Sequence, residues 1–359
     1  MNNINKLISL LSQEERKKGL IIILFSLLTS AFDAISATSL MPFISLLSKS
    51  NESADNKLLS FIRDLFGFQN ETFFISFIGC LVFITLLLSL FLKTITFYLQ
   101  VRFSLLREYS ISKRLINLYL NQNYEWFLDE DSSNLGKSIL SEVTEVVRGG
   151  IIPLMNLISA LTLSIFMIIV LIVLDFKLAI TMGISFLGFY LLIYKTIKNT
   201  LVNIGEDKFK ANEDRYFYTK QVFENIKEVK LNSLEKNYIK KFSTPALVFA
   251  KNHSTSKLIG QLPRFLLELL AFGSIILLSL YALNTYDSLN NFLPLFAVYI
   301  YAAYRLIPSL QQIYSSFTQL KFSSESVKRL YYDFKNLKNL DNFEGQKGIL
   351  YPIKKIQLN

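Results

Sequence analysis

The sequence predicts an all-α integral membrane protein with six spanning helices. Three observations carry that prediction. The 359 residues are 51% hydrophobic and have positive mean hydropathy, too apolar for an ordinary soluble domain. Phe (31) and Tyr (18) are abundant while Gly (13) and Pro (7) are few, a balance that suits long helices better than many short strands. Apolar runs alternate with connectors rich in Lys and Arg. In a soluble protein the formal charge of +10 would invite a nucleic-acid partner. Here the positional bias accounts for it, because cytoplasmic loops of membrane proteins accumulate Lys and Arg. No nucleic-acid partner is expected.

A helix crossing ~30 Å of hydrocarbon needs about 20 residues. The candidate spans are Gly19–Leu47, Thr72–Leu92, Ile151–Leu174, Leu178–Tyr194, Leu258–Leu283 and Phe292–Leu310. The first follows the charged run Glu14–Lys18 and mimics a signal peptide, but its apolar character continues to Leu47, too far for an h-region. Asp175–Lys177 reads as a tight outer turn between spans three and four. Leu58–Phe68 (LLSFIRDLFGF) places Leu58, Phe61, Ile62 and Leu65 at helical spacing. It is read as an amphipathic helix, either on the outer leaflet or packed over the outer helix ends.

Charge sets the orientation. The N-terminal segment carries Lys6, Arg16, Lys17 and Lys18, Lys195–Lys257 carries thirteen Lys and Arg, and the tail from Lys321 carries eight. The turn Asn284–Asn291 (NTYDSLNN) has none. Both termini and the two long connectors, Lys93–Gly150 and Lys195–Lys257, are therefore expected in the cytoplasm. Arg102–Gln122 and Gly205–Leu231 read as helical continuations of the preceding spans, with tips near Asn121–Leu135 and Asn232–Phe242. Gly149–Gly150 reads as a flexible entry into span three.

Ionisable groups inside spans are costly and default to functional candidates. They are Asp33, Lys93, Arg264, Glu268 and Arg305. Counting from span ends, Arg305 lies about 20 Å from the outer boundary and Arg264 about 9 Å from the inner one. With Lys93 at the inner end of span two, the three cations suggest a basic cavity open to the inner leaflet and suited to an anionic head group. Tyr301, Arg305, Ser309 and Gln312 recur at i, i+4, i+8 and i+11, one polar stripe on an apolar helix. Alternatives remain open at three positions. Arg264 and Glu268 stand one turn apart and can neutralise each other. Lys93 can snorkel to the interface. Asp33, counted into the outer half with no obvious cation at its level, either lines the cavity or meets a partner from a second subunit.

No metal or catalytic site is expected, since His253 is the sole histidine and Cys80 the sole cysteine. Asp129–Glu130–Asp131 reads as solvated surface or a docking contact. There is no G-x-x-x-x-G-K-[ST] run, so nothing in the chain cradles ATP phosphates.

Six spans, two helical cytoplasmic arms and a basic tail resemble the membrane domain of ABC exporters over about residues 15–330. Glu224–Leu231 (ENIKEVKL) with Asn232–Phe242, and Phe127–Glu145 (FLDEDSSNLGKSILSEVTE) with Gly136, are similar to that family's coupling segments. The resemblance implies that the arm tips dock on nucleotide-binding domains, with Tyr124, Trp126, Phe127, Tyr238 and Phe242 as anchors. Ile353–Asn359 (IKKIQLN) is similar to the opening strand of such a domain. The expected organisation is therefore a membrane domain over 1–330, followed by a linker and first strand over 331–359. The ATPase domain is expected either fused beyond the chain or encoded separately. No cofactor is expected on this chain; ATP and Mg²⁺ belong to the associated domain, and the partners are that domain, a second copy of the chain and membrane lipid.

Within the family, Ala37–Leu47 (ATSLMPFISLL), Leu58–Phe68, Gln261–Glu268 (QLPRFLLE) and Ala303–Leu320 (AYRLIPSLQQIYSSFTQL) are similar to bacterial flippases of lipid-linked oligosaccharides. That resemblance implies a multi-pass protein of the bacterial inner membrane. It also implies a pyrophosphate-binding role for Arg264 and Arg305, and more loosely for Lys93. Alternatives are an exporter of peptides, lipids or drugs on the same fold, and a non-transporting interaction module.

Overall fold

Backbone groups in hydrocarbon have no water to bond, so long apolar runs close their hydrogen bonds within helices. The computed structural model describes residues 3–47, 63–64, 70–174, 176–285 and 289–337; for 177–198 and much of 266–299 it describes the backbone alone. The amphipathic stretch Leu58–Phe68 (apart from Arg63 and Asp64), Asp175 in the expected outer turn, and the expected strand Ile353–Asn359 lie outside the described residues.

A short helix α1 (Asn3–Ser9) leads into α2 (Gln13–Leu47), the first span. Helix α3 (Glu71–Leu120) runs unbroken for 50 residues, about 75 Å at 1.5 Å per residue. Span two and the arm that follows it are thus one rod. Its start is capped by Asn70, whose side-chain oxygen accepts from the Thr72 N–H at 3.2 Å. At the first tip lie α4 (Tyr124–Asp129) and α5 (Ser132–Lys137), the latter capped by Asp131 accepting from the Ser133 N–H at 2.9 Å. The chain returns through a π-helical turn (Ser138–Glu142), α6 (Val143–Val146), a second π-helical turn (Val147–Ile151) and α7 (Ile152–Leu174). The second pair of arms is α8 (Phe176–Glu224) and α10 (Glu235–Thr285), joined by α9 (Ile226–Leu231). Helices α11 (Leu289–Phe322) and α12 (Ser324–Asn336) complete the described chain. Five expected spans fall within one long helix each, α2, α3, α8, α10 and α11, and the third fills α7 with its first residue, Ile151, in the preceding π-helical turn.

The turn Asn232–Leu234 closes α9 by hydrogen bonds from the Leu234 N–H to the Val229 carbonyl (3.0 Å) and from the Ser233 N–H to the Lys230 carbonyl (3.4 Å). This is a Schellman closure. Ser233 holds the left-handed position at φ 50°, where glycine is the usual occupant.

Helix α2 packs on α3 and α7, α11 packs on α7, α2 and α10, and α8 packs along α10. Phe83, Ile84 and Phe91 on α3 remain exposed, as expected of a rod that presents an apolar flank to lipid. A separate core gathers the elements around the arms. Leu7 on α1 and Leu10 just after it, Ile111 and Leu115 on α3, Val143 and Val146 on α6, and Val327 and Leu330 on α12 are all buried together. Glu15 binds α2 to the α3 arm through Arg107 at 2.5 Å and Arg114 at 3.5 Å.

Gly149–Gly150 differ from the expected flexible entry. Both are buried in the second π-helical turn. A Cβ on Gly150 would lie 2.8 Å from Leu7 Cδ2, and one on Gly149 2.8 Å from Ser323 Cβ. Ser323 also donates to the Gly149 carbonyl at 2.7 Å. These glycines allow α1 and the α11–α12 junction to press against the returning helix.

Candidate substrate cavity

Among the described residues, four spans line an open cavity of about 410 Å³. Three of them contribute stripes at helical spacing. Span one brings Ser26, Thr29, Ser30 and Asp33; span two brings Lys93, Thr96 and Gln100; span six brings Arg305, Ser309 and Gln312. Asn156 and Ser159 come from span three. Apolar walls are supplied by Phe97, Leu163, Tyr304 and Pro308. Pro308 has no N–H, so the Tyr304 carbonyl loses its helical partner, an arrangement tolerated where the helix borders a polar space.

Several hydroxyls meet across the helix interfaces. Ser26 donates to Ser159 at 2.9 Å, the Thr29 and Thr96 hydroxyl oxygens lie 2.6 Å apart, and the Ser164 and Ser309 oxygens lie 2.8 Å apart. Gln100 also donates to Ser159. Such bonds join spans where hydrophobicity supplies no drive for helix association.

The charged groups are arranged differently from the count by depth. Arg305 Nη2 lies 3.4 Å from Asp33 Oδ1, and the two side chains are only 10% and 2% exposed. Ser89 donates to the same carboxylate oxygen. Asp33 therefore has a cation at its level, and Arg305 is not alone. The depth estimate failed because α2 (35 residues) and α11 (34 residues) each exceed the bilayer core, at about 50 Å against ~30 Å. Apolar boundaries on rods of that length do not mark the membrane edge. Arg305 is anchored on its own helix as well, its Nε and Nη2 donating to the Tyr301 hydroxyl at 3.0 and 2.9 Å. Its Nη1 group makes no hydrogen bond among the described residues. Lys93 is exposed at the cavity and makes no ion pair among the described residues.

Arg264 stands elsewhere. It is 59% exposed, donates to Glu268 at 2.8 Å, and does not line the cavity. One-turn spacing made that local pair possible, and none of the described α10 side chains lines the cavity. Gln312 lines the cavity and donates to Ser316 at 3.4 Å. Tyr301, expected at the site, does not line the cavity; its hydroxyl accepts from Arg305.

At the first tip, Tyr124 is exposed, while Trp126 turns inward and stacks on Tyr119 with ring centroids 5.6 Å apart. Phe127 meets Trp126 edge-on at 5.0 Å. The outward face of α4 is therefore Tyr124 and Leu128, at i and i+4. Tyr119 in turn donates to Asp333 on α12 at 2.8 Å. Burial, then the neighbouring carboxylate, push the Tyr119 phenol up, and burial raises the Asp333 carboxyl against the pull of Arg329. At the second tip, Tyr238 and Phe242 lie in the first turns of α10; Tyr238 is half-buried beneath Lys241, whose Nζ is 5.3 Å from the ring, and Phe242 is exposed. His253 is held between Phe249 and Phe322 on the arms. Lys137 ties the two connectors together, 3.7 Å from Glu142 and 3.3 Å from Glu213.

The stripes on spans one and two were readable in advance. Ser26, Ser30, Asp33 and Ala37 recur at i, i+4, i+7 and i+11, as do Ser89, Lys93, Thr96 and Gln100. Asn156 and Ser159 on span three carry too few polar neighbours to stand out.

No family model matches the sequence. The backbone matches a solved bacterial Atm1-family ABC exporter with ATP bound, at a TM-score of 0.65 over 90% of this chain. The fold is that of an ABC exporter. Sequence identity is 13%, and the chain covers 54% of that exporter's length. The likeness therefore speaks for the exporter fold and carries over no cargo.

Proposed function

We propose that this chain is the membrane-spanning half of an ATP-driven exporter that flips an anionic, lipid-linked oligosaccharide across a bacterial inner membrane. The observation that carries this reading is the cavity between spans one, two, three and six. Among the described residues it combines hydroxyl and amide side chains with two cations, Lys93 and Arg305, against one carboxylate, Asp33. Net positive charge in a low-dielectric cleft favours an anionic head group. Ser, Thr, Asn and Gln side chains suit sugar hydroxyls. Arg264 is left out of the site because Glu268 already engages it.

In this reading two copies assemble, and nucleotide-binding domains holding ATP and Mg²⁺ dock on the arm tips through Tyr124 and Leu128, with Tyr238 and Phe242 flanking the second tip. Both termini and both arms face the cytoplasm, and hydrolysis in those domains drives the transport cycle.

The test is Lys93→Gln in the complete transporter. Lys93 is exposed and free of ion pairs among the described residues, so its loss leaves the fold intact. Flipping of a polyprenyl-pyrophosphate oligosaccharide should fall at least about tenfold, the value of one lost charge contact near 1.4 kcal/mol, while basal ATPase persists. Undiminished flipping refutes the assignment. ATPase stimulation by an apolar peptide, with none by the lipid pyrophosphate, would point to peptide or drug export instead; the exposed rings of Phe97 and Tyr304 on the cavity wall favour that second reading.

A further inference from the structure

The Asp33–Arg305 pair joins span one to span six within the cavity, and Ser89 ties it to span two. Two features set it apart from a purely structural bridge. At 3.4 Å it is longer than the 2.7–2.9 Å of a strong charge-assisted hydrogen bond. The guanidinium is also held independently, because Tyr301 accepts from both Nε and Nη2. Arg305 would keep its place if Asp33 let go.

We propose that Asp33 is a specificity-determining residue: its carboxylate occupies the cavity's anion site when no substrate is present, and only a multiply charged phosphate ester displaces it. This inference rests on the transport reading above and adds to it the residue that selects the head group. A single carboxylate or a phosphodiester carries the same one charge as Asp33. Exchanging it for Asp33 gains nothing, and it competes against a tethered group whose effective concentration is far above that of any free ligand. A pyrophosphate presents a second charged group. It can take the guanidinium through two oxygens and also reach Lys93, which lines the same cavity. By formal charge Lys93, Arg305 and Asp33 sum to +1, and without Asp33 the sum is +2. Asp33 thus excludes the abundant monoanionic lipids of the surrounding leaflet from a cavity that would otherwise attract them.

The experiment compares binding of a polyprenyl pyrophosphate, a phosphatidylglycerol and an uncharged polyprenol to the complete transporter in nanodiscs. Wild type, Asp33→Asn and Lys93→Gln are measured side by side. Asparagine keeps the shape of the aspartate and can still accept from Ser89. In Asp33→Asn, phosphatidylglycerol binding should strengthen and the pyrophosphate-over-phosphatidylglycerol preference should fall about tenfold. A structural role alone would weaken all three lipids together. An unchanged preference in Asp33→Asn, with wild type still selective and Lys93→Gln impaired, overturns the inference and spares the transport reading. Wild type that binds all three lipids equally overturns both. Ser89→Ala covers the case in which Asp33→Asn does not fold: it loosens Asp33 without removing its charge, so the preference should fall in the same direction by a smaller factor, and no fall overturns the proposal.

Discussion

Replacing Gly205 by alanine measures how tightly the second arm is clamped against the end of span six. Gly205 is buried on α8, and a Cβ there would lie 2.5 Å from the Phe322 carbonyl oxygen, 3.2 Å from its carbonyl carbon and 3.4 Å from its Cα. Those are backbone atoms, so no rotamer change relieves the contact; α8 and α11 must separate by several tenths of an ångström. Separation would also loosen Lys208, which sits 2.8 Å from Glu145 and 4.6 Å over the Phe322 ring. Overpacking of this kind costs about 1–3 kcal/mol, and a clash with rigid backbone belongs at the upper end. Alanine returns about 1 kcal/mol through helix propensity. The net expectation is a loss of about 1–2 kcal/mol. Gly136→Ala is the control, because a Cβ on Gly136 meets nothing within 4 Å; it should gain about 0.5–1 kcal/mol. Unfolding in detergent, followed by size-exclusion recovery after heating, reads both variants. A Gly205→Ala protein as stable as Gly136→Ala would refute the packing argument.

Two further outcomes follow from the arms. Burial raises the Asp333 carboxyl above its ordinary 3.8, so the folded state holds a proton that the unfolded chain releases. That contribution is complete below about 3.8 and is lost as pH rises through the raised value. Wild type should therefore lose stability relative to Asp333→Asn between acidic and neutral pH, with the Tyr119 hydrogen bond kept in both; the opposite slope in paired melts would count against a buried carboxyl there. Ser233→Gly should raise stability by about 1 kcal/mol, because glycine adopts the left-handed φ without the Cβ penalty that serine bears. Hydrogen exchange at Leu234, whose N–H bonds the Val229 carbonyl, should slow in that variant, and faster exchange would contradict it.

The six spans, their order and the arms follow from patterns within single stretches of chain. Apolar length, the bias of Lys and Arg, and the scarcity of Gly and Pro act locally, and spans and arms were both legible from them. The polar stripe on span six was legible for the same reason, since helical spacing places Arg305, Ser309 and Gln312 on one face wherever that helix ends up. Matching stripes on spans one and two carried the same signal.

What the chain alone left open were the pairings between segments far apart in sequence. Asp33 and Arg305 are 272 positions apart, and no count of depth from either end brings them level, because rods longer than the bilayer have no fixed origin. The family resemblance makes Trp126 a surface anchor, yet it packs against the core that Val327 and Leu330 of α12 help to build. Gly149 and Gly150 look like a hinge until Leu7 and Ser323 arrive against them. In each case a side chain's role was set by which distant helix packed beside it. Such packing depends on contacts among four or more segments at once, which local periodicity does not encode.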